Sequence, residues 1–590
     1  MLPWTTYEAM YDAALDQPEQ FWLDAARRIT WKHAPVSACQ PRADGWHDWF
    51  PDATLNTCHN AVDRHVENGR GAQAALIWHS CATKERQIIS YRELQGRVAG
   101  FAGGLQSLGV RHGDRVLVAM PTMIETVIAM LACARIGAVH VMVFAGYAGP
   151  ELARRIDSVA PKVIIIASCS FQGQTTIPSL LALNEALAEA EHRPQACVIV
   201  QRAACPVPLL RARDHDFHTL EQSAPVEPAM LRSEDPLYIL HTSGTTGNAK
   251  GIVRDNGGHA VALALSMELI YGCKPGDTFF TTSDLGWVVG HSYGVYAPLL
   301  SGCTSVIVEG GASASAIRAL CHEHEVKCLF TTPTQMRLMR QESRNLPGAI
   351  LPALARIFVA GEYADPTLLE WARSYFGKPV VNHWWQTETG WSITAHFFGL
   401  PEREPVSLMN DIGRPAPGFR LEVMPSIPGE QCGEIVLSLP LPPGCLAGVW
   451  KDGAIRVPAA YLDETGRYYR TFDEGMIEAS RAVHMLGRSD DVIKVAGRRI
   501  SGVQIEKIIA AHPAVHACAV VATPDELRGQ RPVAYVVPSS GVEGRPSSEE
   551  IIGRVNQAIG RWLGLKEVRF VRQLPTTVSG KITRKRLLVS

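Results

Sequence analysis

The segment LYILHTSGTTGNAKG, residues 237–251, joins a short apolar run to a loop of glycines, hydroxyl residues and one lysine. The apolar run, residues 237–240, is typical of a strand that is buried on both faces. Glycines let the backbone behind it turn tightly and point several N–H groups at one place. The segment therefore predicts an anion site at the end of a buried strand.

The donors of this loop suit the β- and γ-phosphates of a nucleotide. The loop is not a Walker loop, because the GxxxxGK[ST] spacing is absent. A polar linker is the alternative, but a linker does not need glycines and a lysine directly after a buried strand. The predicted phosphate-binding residues are Thr242, Ser243, Gly244, Thr245, Thr246, Gly247 and Lys250.

Outward from this segment, short apolar runs alternate with helical patterns. Such runs begin near Arg115, Lys162, Cys197, Ser305 and Arg356. They predict stacked α/β layers with largely parallel sheets. Residues 434–437 and 461–477 are more typical of antiparallel β structure. The apolar stretch 116–144 contains Glu125 and Arg135, so we interpret it as a buried strand–helix–strand unit and not as a membrane span.

Three regions are expected along the chain. Residues 1–70 form an N-terminal cap segment, residues 71–489 a large domain, and residues 490–590 a small mobile α+β domain of ordinary size. The fold class is therefore α/β, with a large region of stacked layers, a β subdomain and a small C-terminal lid.

The composition excludes several classes of protein. Among 590 residues, 57 Lys and Arg balance 58 Asp and Glu, so no basic excess favours nucleic acid. The 14 cysteines form no CxxC pair, which indicates a reducing compartment. The N-terminus lacks the apolar core of a signal peptide. A cytoplasmic protein without a membrane partner is expected.

The loop resembles the TSGTTGxxKG motif of the adenylate-forming superfamily, which contains acyl-CoA synthetases, luciferases and peptide-synthetase adenylation domains. Further segments make the chain similar to short-chain acyl-CoA synthetases, most of all to propionyl-CoA synthetases. The resemblance implies that ATP activates a small carboxylic acid as an acyl-adenylate, and that coenzyme A (CoA) then takes the acyl group. These segments are CHNAVDR (58–64), LACARIGA (131–138), WVVGHSY (287–293) and HWWQTETG (383–390).

The resemblance also assigns the nucleotide-binding residues. Glu388, with Thr245, would bind Mg²⁺, which prefers hard oxygen ligands. Asp473 would bind the ribose hydroxyls; the family usually has glycine before it, so Phe472 is expected to shift the local backbone. Thr387 and Arg499 would lie near the α-phosphate. The remaining contacts, to adenine, ribose or phosphate, are Gly361, Glu362, Tyr363, Asn382, His383, Trp384, Trp385, Gln386 and Arg488.

In the same way, Trp385 would form the floor of the acyl pocket, and Val288, Val289 and Ala360 its walls. Acetyl-specific relatives tend to carry a larger residue at the position of Ala360, which favours propionate over acetate. One methylene group is worth only ~1–3 kcal/mol in such a pocket. His291 is either a gate between the pocket and the thiol tunnel or a structural histidine.

Lys581, in LPTTVSGK (574–581), matches the family's catalytic lysine, which would stabilise charge as pyrophosphate leaves. A basic surface tail is the alternative. Asp490 matches the hinge of the small domain. Gly497 and Arg154 are expected along the CoA tunnel.

One departure from the family concerns CoA itself. Gln172 and Thr175 stand where the resemblance leads us to expect basic residues that hold the CoA phosphates. Transfer to a carrier-protein phosphopantetheine therefore remains an alternative. A nucleotide binder without catalysis is a third hypothesis, which the joint presence of Lys250, Glu388, Asp473 and Lys581 disfavours.

Overall fold

The computed structural model describes most of the chain. The residues outside the description are 1–3, 210, 243–249, 344–347, 349, 363, 365, 403–410, 426–428, 490–491, 496–497, 527, 540–545, 577–581 and 589–590.

A nine-stranded sheet contains the strand that precedes the predicted phosphate loop. Its strands are parallel up to Pro236–Thr242 and antiparallel beyond it. In spatial order they are Asp214–Asp216, Ala196–Val200, Val163–Ala167, Arg115–Ala119, Val139–Met142, Pro236–Thr242, Lys250–Asp255, Gly448–Lys451 and Ala454–Arg456.

A seven-stranded sheet forms the second layer, and only its last strand is antiparallel to its neighbour. The strands follow in the order Val380–Asn382, Arg356–Val359, Val326–Thr331, Thr278–Thr281, Thr304–Glu309, Ala74–Ser80 and Arg86–Ser90. The two sheets confirm the predicted α/β layers with mostly parallel strands.

Helices cover and separate these sheets. All residues of Ile124–Ile136 are buried, and the two charges within it are paired: Glu125 with Arg97 at 3.3 Å, and Arg135 with Asp63 at 2.8 Å. The strand–helix–strand interpretation of this stretch is thereby confirmed. The other helices here are Tyr91–Ser107, Gly149–Val159, Ser179–Glu189, Phe217–Glu221, Gly257–Leu269, Val288–His291, Ala297–Leu300, Ala314–Glu323, Pro333–Glu342 and Pro366–Phe376. No helix in the described part of the chain has the length and apolar character of a membrane span.

The N-terminal segment contains two helices, Tyr7–Asp16 and Pro18–Ala26. The Tyr11 hydroxyl donates to the carbonyl of Phe419 at 2.8 Å, and Trp22 packs against Trp391 in the core. The sequence did not predict these helices. Their apolar residues contact segments about 400 positions away, so their burial is set by tertiary structure.

Antiparallel structure follows the layers, as predicted. A four-stranded sheet contains Leu421–Met424, Gly433–Ser438, Tyr468–Ile477 and Val483–Arg488. Two-stranded ribbons pair Cys39–Pro41 with His47–Trp49, Thr54–Leu55 with Leu231–Arg232, Cys169–Gln172 with Thr175–Pro178, and Thr394–Ala395 with Arg414–Pro415.

The C-terminal region has hydrophobic clusters of its own, all of whose members follow residue 492. Helices Gly502–Ala510, Ser548–Ala558 and Arg584–Leu587 accompany one sheet. Its strands are Arg498–Ser501, Val492–Val495, Gly529–Pro538, Val515–Asp525 and Glu567–Phe570. This confirms a small α+β unit; the exact domain bounds stay a prediction.

Candidate active site

The predicted phosphate loop lies between two antiparallel strands. Thr242, the last residue of one strand, is paired with Lys250, the first residue of the next. The five loop positions Ser243, Gly244, Thr245, Thr246 and Gly247 lie outside the described residues, and their roles stay predictions. The strand pairing nevertheless places Thr242, with its hydroxyl, beside Lys250, with its ammonium, at the two ends of the loop.

Tyr461 connects this lysine to the predicted magnesium ligand. Lys250 Nζ lies 4.3 Å from the centroid of the Tyr461 ring, within the range of a cation–π contact. The Tyr461 hydroxyl donates to Glu388 Oε1 at 2.6 Å. Burial, and then the charge of Glu388, raise the pKa of Tyr461, so the phenol stays protonated and keeps donating. Sequence reasoning missed Tyr461.

Arg254 fixes the backbone of the second nucleotide motif. Its side chain is fully buried, and its guanidinium donates to the carbonyls of Thr387 and of Glu388, the latter at 2.9 Å. The N–H of Leu446 donates to the same Glu388 carbonyl at 2.9 Å. With their carbonyls held, the Thr387 and Glu388 side chains project from a defined backbone. Sequence reasoning missed Arg254 as well.

Glycine is required at Gly390, which closes this turn. Its φ of +73° lies in the left-handed region, and an added Cβ would lie 2.4 Å from the carbonyl oxygen of Gly444 and 2.7 Å from Arg254 Nη2. Any larger residue would displace Arg254 from the carbonyls it holds.

Asp473 contacts predicted residues from two other segments of the chain, 384–386 and 488. Its Oδ2 accepts hydrogen bonds from Trp384 Nε1 at 3.1 Å and Gln386 Nε2 at 2.7 Å, and Arg488 Nη1 lies 3.4 Å from Oδ1. Burial raises the pKa of Asp473, and the charge of Arg488 and these hydrogen bonds partly offset that effect. Tyr469 donates to Gln386 Oε1 at 3.0 Å and fixes the orientation of the amide. A carboxylate held in this way can accept hydrogen bonds from ribose hydroxyls.

Phe472, in place of the family's usual glycine, has a φ of +56°. A residue other than glycine in this left-handed region costs about 1–2 kcal/mol. The Phe472 N–H donates to Glu434 Oε1 at 3.1 Å, and its ring lies 4.8 Å from the Arg470 guanidinium carbon. The backbone thus has a conformation that glycine adopts freely, and the surrounding contacts hold the larger residue in it.

The two predicted adenine segments follow neighbouring strands. Asn382 ends Val380–Asn382 and is largely buried, while Gly361 has a φ of +95° just beyond Arg356–Val359. Glu362 accepts hydrogen bonds from Thr334 at 2.9 Å and Arg337 at 3.2 Å. Tyr363 lies outside the described residues.

The side chain of His383 belongs to the core. Its Nε2 lies 2.9 Å from the Tyr271 hydroxyl and its Nδ1 lies 3.0 Å from the Val359 carbonyl, and burial lowers its pKa to about 4. A neutral ring with both nitrogens engaged leaves only the backbone of His383 to contact a nucleotide.

The predicted acyl-pocket residues belong to one hydrophobic cluster. Trp385, Val289 and Ala360 are buried, and Val288 packs against them partly exposed. Trp385 meets the ring of Tyr293 edge-on, with centroids 5.4 Å apart. These side chains therefore offer an apolar surface against which a short alkyl chain can pack.

His291 is fully enclosed. Its Nε2 lies 2.9 Å from His140 Nε2, and its ring centroid lies 4.1 Å from that of Tyr238. Burial, and then His140, hold its pKa well below the ordinary value, so the ring is neutral. These contacts are those of the structural histidine; a gating role stays a prediction.

The predicted CoA residues are only partly described. The exposed Arg154 is paired with Glu151, which also pairs with Arg155 at 2.6 Å. Gln172 and Thr175 face each other in a two-stranded ribbon. Gly497, the hinge Asp490 and Lys581 lie outside the described residues, as does the side chain of Arg499, and their roles stay predictions.

Comparison with known proteins identifies the family. The model of the AMP-binding enzyme family matches residues 62–442, the AMP-binding enzyme C-terminal domain matches 504–581, and the acetyl-coenzyme A synthetase N-terminus matches 7–61. The chain belongs to the AMP-binding enzyme family.

Relatives of this AMP-binding enzyme match nearly its whole length. The mitochondrial acyl-CoA synthetase short-chain family member 3 of Rattus norvegicus is 41% identical, over 98% of this chain and 87% of the relative. The propionate–CoA ligase of Escherichia coli is 38% identical, over 98% and 95%.

Solved structures agree on the fold. An acyl-CoA synthetase from Brucella canis superposes with a TM-score of 0.68 at 26% identity, covering 98% of both chains. The acetoacetyl-CoA synthetase from Streptomyces lividans superposes with a TM-score of 0.85 over 99% of this chain and 90% of its own, but its 22% identity supports the fold alone.

For this AMP-binding enzyme we predict that Asp473→Asn weakens ATP binding. Asparagine keeps one acceptor oxygen but loses the charge and places an NH₂ donor where the other oxygen accepted, and hydrogen bonds to a charged group are worth ~1.5–3 kcal/mol. The KM for ATP should rise about 10- to 100-fold in steady-state kinetics. Asp463→Asn, in an exposed turn, is the matched control; equal KM values for the two variants would contradict the role of Asp473.

Proposed function

We propose that this enzyme joins propionate, or an acid of similar size, to coenzyme A with conversion of ATP to AMP and pyrophosphate. Membership of the family makes the chain an AMP-forming acid–CoA ligase of the short-chain acyl-CoA synthetase type. The identity of the acid and the roles of individual residues are the proposal. One observation carries the proposed residue roles: Lys250, Tyr461, Glu388 and Asp473 converge on one nucleotide motif. Lys250 contacts Tyr461, Tyr461 donates to Glu388, and Asp473 accepts from Gln386.

In the first half-reaction, a carboxylate oxygen of the acid attacks the α-phosphorus of ATP. The new C–O–P bond forms as the bond between the α-phosphorus and the bridging oxygen breaks, and pyrophosphate leaves. Lys250 and the loop N–H groups would hold the β- and γ-phosphates, and Asp473 the ribose. Lys581 would balance the charge that develops on the α-phosphate and carboxylate oxygens.

Glu388 would hold Mg²⁺. Its carboxylate is a hard oxygen ligand, partly exposed, and presented by a backbone that Arg254 and Leu446 fix. Bound Mg²⁺ would neutralise phosphate charge and so help pyrophosphate to leave. Thr245 is the second proposed ligand.

In the second half-reaction, the thiolate of CoA attacks the acyl carbonyl and AMP leaves. We propose that the C-terminal domain, residues 490–590, turns about Asp490 between the two halves, which withdraws Lys581 and opens the thiol path past Gly497. Arg154 would lie beside that path.

The residues proposed to line the acyl pocket favour propionate. Trp385 would close its floor, and Ala360 would leave space that a larger residue removes. Ala360→Val should therefore lower kcat/KM for propionate relative to acetate about 10- to 200-fold, the range for one methylene group.

The control for this variant is Ala372→Val, which adds the same two methyl groups in another buried cluster. It should leave the ratio of kcat/KM for propionate to that for acetate unchanged. An unchanged ratio in Ala360→Val would overturn the pocket assignment.

The acyl acceptor can be tested directly. Because the relatives are named as CoA synthetases and a propionate–CoA ligase, we propose free CoA, despite Gln172 and Thr175. AMP release should saturate with micromolar CoA. Turnover with a carrier protein but not with CoA would establish the alternative. The cytoplasmic location also stays a prediction.

A further inference from the structure

A cavity of about 280 Å³ is lined by none of the residues proposed to bind ATP, the acid or CoA. Its walls come from the N-terminal segment 42–49, from the end of strand Lys250–Asp255, and from residues 439–447. Trp46, Trp49 and Leu441 give it apolar walls. Its size is near the lower end of small-ligand pockets, ~300–1,000 Å³.

Asp255 is the most buried charged group in the lining, with 7% of its surface exposed. Its Oδ1 accepts a hydrogen bond from the His259 N–H at 3.0 Å, and within the described ranges no ion pair to its carboxylate is found. An ionised carboxylate buried without a counter-ion is costly, so the group either takes up a proton or binds a ligand that supplies positive charge.

Glu234 is a second acidic residue of the lining, and one of its carboxylate oxygens can accept a further hydrogen bond. One of its oxygens pairs with Arg232, while Oε2 is buried and has no hydrogen-bond partner in the described part of the chain. Asp48 is the third acid; Arg42 Nη1 lies 3.6 Å from it, and Arg42 also bonds Asp44 outside the lining. Acidic groups therefore outnumber basic ones in the lining.

We propose that this cavity binds a small organic ammonium ion. An ammonium group has three N–H donors and no acceptor, which suits the carboxylates of Asp255 and Glu234, while an alkyl chain would contact Trp46 and Trp49. A metal ion is disfavoured because much of the lining is carbon, and the described residues contain no cluster of three or more metal-ligating side chains.

The cavity also touches the structure that supports the nucleotide motif. Leu446 is part of the lining, and its N–H donates to the Glu388 carbonyl; Asp255 follows Arg254 in sequence. An occupant would thus contact Leu446, one of the two residues that hold this carbonyl, and Asp255, the sequence neighbour of the other, Arg254.

Isothermal titration calorimetry at constant ionic strength tests the proposal without any substrate of the enzyme. The probe is 1,4-diaminobutane at pH 8, and 1,4-butanediol is its neutral counterpart. We expect saturable binding of the diamine alone. Asp255→Asn should weaken it at least tenfold, whereas Asp16→Asn, on an exposed helix end, should not change it.

Ala447→Leu is a second variant, which fills the cavity and leaves its charges in place. It should also abolish binding, and thermal melting will verify that each variant is folded. Equal affinity for the diol, no saturable heat with the diamine, or unchanged affinity in both cavity variants would overturn the proposal.

The pH dependence gives a further readout. The pKa of Asp255 is raised to about 7, chiefly by burial and to a lesser extent by Asp48, while the His259 N–H and Arg254 act in the lowering direction. His47 and Arg42 on the rim add positive charge, and Glu234 negative charge. Because the ionised carboxylate binds the cation, affinity should fall about tenfold from pH 8 to pH 6. The Asp255→Asn variant should lose most of this dependence; an equal slope in both proteins would contradict the role of Asp255.

Discussion

Lys581→Ala is expected to lower ATP–pyrophosphate exchange by about 10²–10³-fold, the usual effect of removing a preorganised donor from developing charge. It should leave the second half-reaction nearly intact, because the proposed domain rotation would withdraw the lysine before the thiol attacks. Exchange measures the first half, and CoA-thioester formation from synthetic propionyl-adenylate measures the second.

Lys566→Ala is the matched control for this prediction, since Lys566 is an exposed lysine of the same domain. Both half-reactions should continue at the normal rate in it. Equal loss of both halves in Lys581→Ala would contradict the catalytic assignment and favour a structural basic tail.

Arg254→Met is expected to lower the rate of adenylation about 10²-fold, the cost of misplacing catalytic groups by about 1 Å. Methionine fills similar space but cannot donate to the Thr387 and Glu388 carbonyls, so the Glu388 carboxylate loses its fixed position. Arg254 is a positioning residue; the loss should therefore appear in kcat for pyrophosphate exchange and in the Mg²⁺ requirement, with a smaller change in the KM for propionate.

Stability has to be measured alongside activity, because a buried carbonyl that loses its donor costs about 1–3 kcal/mol. The control is Arg64→Met. Arg64 also donates to two backbone carbonyls, those of Arg28 at 2.9 Å and of Leu300, and neither belongs to the proposed site. If Arg254→Met loses no more activity than Arg64→Met at equal melting temperature, the positioning role is wrong.

The sequence predicted those elements that a local run of apolar residues identifies. Residues 237–240 of strand Pro236–Thr242 form a continuous apolar run, and the buried helix Ile124–Ile136 lies between two further strands, Arg115–Ala119 and Val139–Met142. The resemblance also named Trp384, Gln386 and Asp473, which the structure brings within hydrogen-bonding distance.

The sequence could not predict contacts that depend on long-range register. Tyr461 reaches Glu388 across 73 residues, and Arg254 reaches the Glu388 carbonyl across 134. Neither residue has a local pattern that separates it from ordinary core or strand positions. Phe472 is a different case. The family's usual glycine at this position is compatible with a left-handed backbone, but the contacts with Glu434 and Arg470 that support Phe472 are visible only in three dimensions.

Pyrophosphate exchange into ATP, measured with a series of unbranched acids from two to five carbons, tests the central claim most directly. The proposed chemistry predicts exchange that requires both Mg²⁺ and an acid, is fastest with propionate and needs no CoA. Absence of exchange with every acid in the series would contradict the acyl-adenylate reaction itself.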